Sequence, residues 1–539
     1  MTRLGMFGVL LAAVLFASSA QSQGTEHGAN AAELARQIRL GQTTSEDATR
    51  ALLRRISQLD RSGPRIQSVI SLNPNALDAA IAMDREAQTG QFRGPLHGVP
   101  ILLKDNIESK ELPTTAGSLA LINNTTGRDA PIVARLREAG MIILGKTNLS
   151  EWANYRSFDS ISGWSGVGGL TRNPYDLRRS ACGSSSGSAA AVAAAFVPVA
   201  IGTETNGSIT CPAAVMGLVG LKPTVGLVSR RHIVPLSPRQ DSAGPITQTV
   251  EDAAMLLSAL AGSDPQDPAT RDADSHVENY VGALSEGITG MRIGVFRWAQ
   301  GDNESVTTVF DRALERLEQA GAVLVDVEDF SPEPILWQQG DRILQVEFKA
   351  GLNNYLATTP ADIDVRSIND LIEFNRINAQ RELALFDQSI LIKTAAADDA
   401  DDPAFNKVVS EFVHAARDRG LDLLLAEHDV RLLVMPTTKP AAPVDLLGTS
   451  EPVGGPLGAG WLAATAGYPI LTVPMGDHRG LPLGMSFMGT AWDDAALLRA
   501  GHALERALAL RQEPAFLDGD MARPGLADVL VPIDEGTPE

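Results

Sequence analysis

Residues 188–209 read SAAAVAAAFVPVAIGTETNGSI, and this stretch decides the fold class. Ser188 to Phe196 is almost all small residues, which suits a helix packed tightly against a sheet. Val197 to Ile201 is a short apolar run of the kind that forms a strand buried on both faces. A helix feeding straight into a buried strand is the repeating unit of α/β architecture. The strand then enters Gly202-Thr203-Glu204-Thr205-Asn206-Gly207-Ser208, where glycines surround a single serine. Successive backbone N–H groups in such a turn can converge on one point and hold a developing oxyanion beside Ser208 Oγ. Taken alone, the same segment reads equally as a structural turn.

The alternation continues outward. Val99 to Leu103 is a strand-like run ending at Lys104, Pro131 to Ala139 reads as a helix, and Met141 to Leu144 as a buried strand closed by Gly145. Leu218 to Leu221 and Val225 to Val228 are further strand expectations, and an amphipathic helix begins at Glu251. Arg292 to Phe296 is expected as a strand, followed by a long, mostly helical region from Val306 to His428. Val430 to Met435 and Leu471 to Met475 continue the strand pattern, and a last helix is expected at Ala495 to Leu508. Upstream, Ala31 to Ile56 has helical periodicity with a capping region at Thr43-Thr44-Ser45-Glu46. With no internal repeat and no low-complexity linker, one large α/β domain with a helical insert is expected.

The 539 residues carry 65 acidic and 45 basic side chains, a formal charge of −20. Such a surface repels phosphate backbones, and no dense Lys/Arg stripe offsets it, so no nucleic-acid partner is expected. Arg3, the apolar run Leu4 to Ala17 and the small residues Ser18-Ser19-Ala20 form the pattern of a secretory signal peptide over residues 1–20. The run is short for a bilayer span, so the expectation is a periplasmic or secreted protein with no stable membrane association after cleavage. An uncleaved membrane anchor is the alternative. The only cysteines are Cys182 and Cys211, which excludes a disulfide framework. An oxidising compartment makes a bridge between them possible, but two small buried thiols are the reading the residues favour.

A serine nucleophile needs a base. The histidines are scattered without a triad context, and no lysine has a serine three positions before it. Lys104 ends an apolar run, so burial would lower its pKa and favour the neutral amine, which can take a proton from a serine. Its bland reading is a lysine paired with Asp105 or another acid. A second serine cluster, Cys182-Gly183-Ser184-Ser185-Ser186-Gly187-Ser188-Ala189, contains Gly-x-Ser-x-Gly around Ser185. That spacing fits the nucleophile elbow of α/β-hydrolases, but Arg178-Arg179-Ser180 upstream is not a buried strand.

Taken together, Gly98-Val99-Pro100-Ile101-Leu102-Leu103-Lys104-Asp105-Asn106, the Gly/Ser cluster, and Gly202 to Ser208 closely resemble the amidase signature family. The run continues through Pro212-Ala213-Ala214 and Gly217 to Thr224, and the resemblance is strongest from about residue 94 to 245. It implies a single domain over 31–535 with a mixed central β-sheet sandwiched by helices, a catalytic core at about 94–245 and a helical insert at about 300–428. It implies Ser208 as nucleophile and acyl carrier, Ser184 as a cis-peptide serine relaying the proton, and Lys104 as general base. The amides of Thr205, Asn206, Gly207 and Ser208 would form the oxyanion hole, with Ser185 as a supporting hydrogen-bonding residue.

Lys146 to Asn154, Ser160-Ile161-Ser162-Gly163-Trp164 and Phe487 to Trp492 look like the peptide amidase branch, which removes C-terminal peptide amides and releases ammonia. Asn206 departs from the Gly or Asp of many relatives, which bears on specificity. No metal or organic cofactor is expected, and the partner would be a small-molecule or peptide amide; monomer and homodimer both stay open. The alternatives are a broad aliphatic, aryl or fatty-acyl amidase or esterase, a non-catalytic amide-binding protein, and an α/β-hydrolase using Ser185. The transfer-RNA amidotransferase subunit shares the signature, but the export signal and acidity count against that role.

Overall fold

A computed structural model describes residues 28–446, 460–510 and 512–519. The expected signal peptide and the expected domain end at 535 lie outside the described residues. At the centre is an eleven-stranded mixed sheet. In chain order its strands are β1 (Val69–Leu72), β2 (Pro100–Lys104), β3 (Ile142–Thr147), β4 (Val199–Glu204), β5 (Val219–Lys222), β6 (Ser242–Thr247), β7 (Arg292–Phe296), β8 (Val323–Val327), β9 (Leu432–Pro436), β10 (Ile470–His478) and β11 (Leu481–Met488). In space they run β1-β3-β2-β4-β6-β5-β10-β11-β9-β7-β8. β2 is parallel to both β3 and β4, and β7 is parallel to both β8 and β9. The remaining pairs are antiparallel.

Strand periodicity sorts the core into two layers. Ile101 and Leu103 of β2, with Val199 and Ile201 of β4, join one apolar cluster, while Leu102 and Ala200 between them join the other. Helices cover both faces, which is why these strands read as continuous apolar runs rather than alternating ones. The small-residue helix forms at Ser186–Ala193, and its alanines let it approach the sheet closely. The N-terminal helical region is two helices, Ala31–Arg39 and Ser45–Arg55, and Thr44 caps the second by accepting from the Asp47 amide.

One expectation needs correction. Val225 to Val228 is not a strand: the two valines bridge only each other, because Gly226 turns the chain at φ 98°. The region 306–428 is mostly helical, as expected, with β8 following the helix Glu304–Gln319 and forming the sheet edge. The structure also adds strands that the sequence pattern does not announce. β6 contains Gly244-Pro245, ordinarily a turn signal.

Past β8 the insert is helical, and a buried charge cluster joins it to the core. Arg156 pairs with Glu151 at 2.9 Å and with Glu382 of the insert at 3.4 Å, all three side chains buried. Glu382 also accepts from the Leu119 amide at 2.7 Å. Burial and the neighbouring Glu382 push the Glu151 carboxyl well up, against the pull of Arg156. Arg156→Met would leave two buried carboxylates facing each other. It is expected to destabilise the fold by about 3–5 kcal/mol, read as a lower urea midpoint at unchanged slope.

Candidate active site

β2 delivers Lys104 to the interior. Its Nζ lies 2.7 Å from Ser184 Oγ, 3.0 Å from the Thr203 carbonyl oxygen and 2.9 Å from Thr203 Oγ1. Among the described residues Lys104 forms no ion pair. The neighbouring Asp105 is taken by Lys146, whose Nζ sits 3.0 Å from Asp105 Oδ1 with both side chains buried. The bland pairing of Lys104 with Asp105 is therefore not what the structure shows. Burial lowers the Lys104 pKa to about 7, opposed by the negative fields of Asp241 and Glu204. A neutral amine has two N–H donors and one lone pair. The Thr203 carbonyl can only accept, and Thr203 Oγ1, which also accepts from Asn106 Nδ2 at 2.9 Å, can take the second N–H. The lone pair is then left for the Ser184 hydroxyl.

The Gly183–Ser184 peptide bond is cis. The cluster around it is drawn in tightly: a Cβ on Gly187 would run into the Ser68 and Asn148 backbone. Ser185 is fully buried; its Oγ donates to the Thr203 carbonyl at 3.0 Å and accepts from the Thr203 amide at 3.2 Å. A hydroxyl bound on both sides to one strand residue is an anchor. This argues against Ser185 as an elbow nucleophile. The Ser185 amide donates to the Ser208 carbonyl at 3.0 Å, so the two serine segments are joined backbone to backbone.

Ser208 follows β4 in a turn that Gly207 makes possible at φ 80°. Glu204, the last residue of β4, reaches across that turn and accepts from the Ile209 amide at 2.7 Å and the Thr210 amide at 2.8 Å. The strand thus grips both ends of the segment carrying Thr205, Asn206, Gly207 and Ser208. Ser208 keeps 7% of its surface exposed, whereas Ser184 and Ser185 keep none. Of the three serines, it is the one a substrate can reach.

Two cavities flank this turn. One, of about 280 Å³, is lined by Cys182, Gly183, Asn206, Gly207, Thr437 and Trp461 among others, with no charged side chain among the described residues. The other, of about 250 Å³, is lined by Asn106, Thr203, Thr205, Arg230, Leu236 and Asp241 among others. Asn206 does reach a cavity, as its position in the motif suggests. Sequence reasoning did not single out Thr203, Asn106 or Asp241, whose roles depend on hydrogen bonds to distant segments, nor Glu204, which binds amides of its own turn. The strand-end position of Glu204, just before the glycine turn, was the one available signal.

The cysteines are a correction: they form a disulfide, not two free thiols. The nearness of each to a serine segment left pairing and burial both open, and bringing Ser184 alongside Ser208 brings the two sulfurs together. The bridge closes a loop over a sequence separation of 29. Its removal in Cys182→Ala/Cys211→Ala is expected to cost about 3–4 kcal/mol by loop-closure entropy, read by chemical denaturation against the oxidised protein.

Among the described residues no cluster of His, Cys, Asp or Glu could hold a metal ion, and no helix is long and apolar enough to cross a membrane. The profile of the Amidase family matches residues 47–498. A relative from Arabidopsis thaliana described as a "probable amidase" is 36% identical over 486 residues, covering 88% of this chain and 89% of the relative. A putative amidase from Schizosaccharomyces pombe is 33% identical over 508 residues, covering 89% of this chain and 85% of the relative. The crystal structure of native peptide amidase from Stenotrophomonas maltophilia superposes with a TM-score of 0.85 at 46% identity, covering 90% of this chain and 98% of that one. With this fold, these motifs and these relatives, the chain belongs to the amidase signature family and is a hydrolase acting on amide carbon–nitrogen bonds.

Proposed function

We propose that the chain is an exported serine amidase that hydrolyses C-terminal peptide carboxamides and releases ammonia. Neutral Lys104 takes the Ser184 proton as Ser184 takes that of Ser208, and Ser208 Oγ attacks the carbonyl carbon. The oxyanion rests on the amides of the Thr205–Ser208 turn, and the proton returns by the same route to the departing nitrogen. Water then repeats the sequence on the acyl-enzyme and frees the acid. The observation that carries this reading is Lys104 itself: a buried amine with no carboxylate partner among the described residues, 2.7 Å from a serine hydroxyl.

The peptide-amide preference is supported by the 46% identity to a peptide amidase. Export is supported by Arg3 and the apolar run behind it. The charge of −20 stands against a transfer-RNA partner. A second reading has its own observation: ammonia needs almost no room, yet cavities lie on both sides of the turn. An amidase releasing a larger amine would use both.

The test is product release from an amidated dipeptide, an aryl amide and a long-chain acyl amide. Highest kcat/KM on the amidated peptide, with stoichiometric ammonia, is the expected result. Preference for the aryl amide would establish the second reading instead.

A further inference from the structure

The register of the sheet puts an acid beside the nucleophile turn. β6 runs antiparallel to β4 with Ser242 opposite Glu204. The residue just before β6 is Asp241 and the residue just after β4 is Thr205, so the pairing makes them neighbours. Thr205 Oγ1 donates to Asp241 Oδ1 at 2.6 Å. The other carboxylate oxygen accepts from the Leu236 amide at 2.7 Å and the Ser237 amide at 2.9 Å. Leu236, Thr205 and Asp241 all line the same cavity. One carboxylate therefore ties the first residue of the turn to the wall opposite it.

We propose that Asp241 is a positioning residue for acyl transfer, fixing the oxyanion turn through the Thr205 hydroxyl against the 236–237 wall. The inference rests on the proposed Ser208 mechanism. The Thr205 side chain has no other described hydrogen bond, so without Asp241 the near end of the turn loses its tie, and the holds that remain lie toward the far end: Glu204 on the Ile209 and Thr210 amides, and the Ser185 amide on the Ser208 carbonyl. Amide donors of an oxyanion hole work only when already aimed, and small displacements are costly.

Asp241 also acts on the base. Lys104 faces Asp241 from the start of β6 and Glu204 from β4, and both oppose the effect of burial. Asp105, next to it on the chain, is occupied by Lys146. Burial pushes the Asp241 carboxyl up, against the hydrogen bonds from Thr205, Leu236 and Ser237 and the nearby Arg230, and Glu347 of the insert and Lys222 of β5 stand in its field.

The experiment measures kcat, KM and pH profiles on an amidated dipeptide, with fluorophosphonate labelling of Ser208. The variants are Thr205→Val, Thr205→Ser, Asp241→Asn and the Thr205→Val/Asp241→Asn double. Thr205→Val is expected to lower kcat about ten-fold with KM changed less than about two-fold, and Thr205→Ser to recover most of that loss. Asp241→Asn is expected to lower kcat similarly, and the double variant to be no worse than the poorer single, because the two residues act as a unit. Losing the Asp241 charge lowers the proton affinity of Lys104, so the acidic limb moves to lower pH in Asp241→Asn and stays in place in Thr205→Val.

Wild-type rates in Thr205→Val, multiplying losses in the double, or an unmoved limb in Asp241→Asn would each overturn the proposal. If Asp241→Asn does not fold, the Thr205 pair alone decides. A wild-type Ser208 that takes no label would overturn the nucleophile assignment first, and this inference with it.

Discussion

Ser208→Ala is expected to lower kcat by on the order of 10⁶-fold, because a single hydroxyl both attacks and carries the acyl group. The structure makes this a clean test. Everything described as holding the turn bypasses that hydroxyl: Glu204 takes the Ile209 and Thr210 amides, and the Ser208 carbonyl accepts from Ser185. The variant should unfold at the wild-type temperature, bind substrate with a similar affinity and take no fluorophosphonate label. A residual rate above a few hundredths of wild type would assign the nucleophile elsewhere, with Ser185→Ala as the immediate comparison.

Lys104→Met is expected to lower kcat/KM by on the order of 10³-fold, the usual worth of a general base. The wild-type profile should rise with pH through about 7, where Lys104 loses its proton, and then level off. That acidic limb should vanish in the variant's residual activity. Stability moves the other way. In the folded chain Lys104 releases its proton near 7, whereas in the unfolded chain it holds it to its ordinary 10.5. Between those values the unfolded state binds more protons, so this group's penalty is complete below about 7 and fades as pH climbs toward 10.5. Methionine carries no such penalty. Lys104→Met should therefore melt at or above the wild-type temperature near neutral pH, with the margin shrinking in alkali. A variant both inactive and markedly less stable would show Lys104 to be a structural residue instead.

How much of this was legible follows from the range of the interactions. The strand carrying Lys104 and the helix–strand unit before Ser208 are written in local patterns: apolar runs, small residues and glycines at the turns. So are Lys104, Ser184 and Ser208, because each sits beside its own turn signal. The groups that hold them in place are not local. Lys104 bonds Thr203 across 99 positions, and Thr205 bonds Asp241 across 36. Neither contact has a sequence signature, because each exists only once β2, β4 and β6 lie side by side. The disulfide escaped for the same reason. β6 escaped because tertiary pairing overrode a glycine–proline turn signal, while Val225 to Val228 shows the reverse, a β-branched run bent by one glycine.

The insert's attachment has a consequence for laboratory evolution. Phe348 and Leu352 of the insert share an apolar cluster with Val234 and Leu236, and those two residues line the cavity beside Thr205. Trimming the insert would strip that wall of its backing and strand Arg156 with half its counter-charge. Repacking it is another matter: substitutions at Phe348 or Leu352 alter the lining from behind. Libraries built there, in residues that never meet a ligand, offer a route to new substrate ranges that leaves every hydrogen bond of the reaction intact.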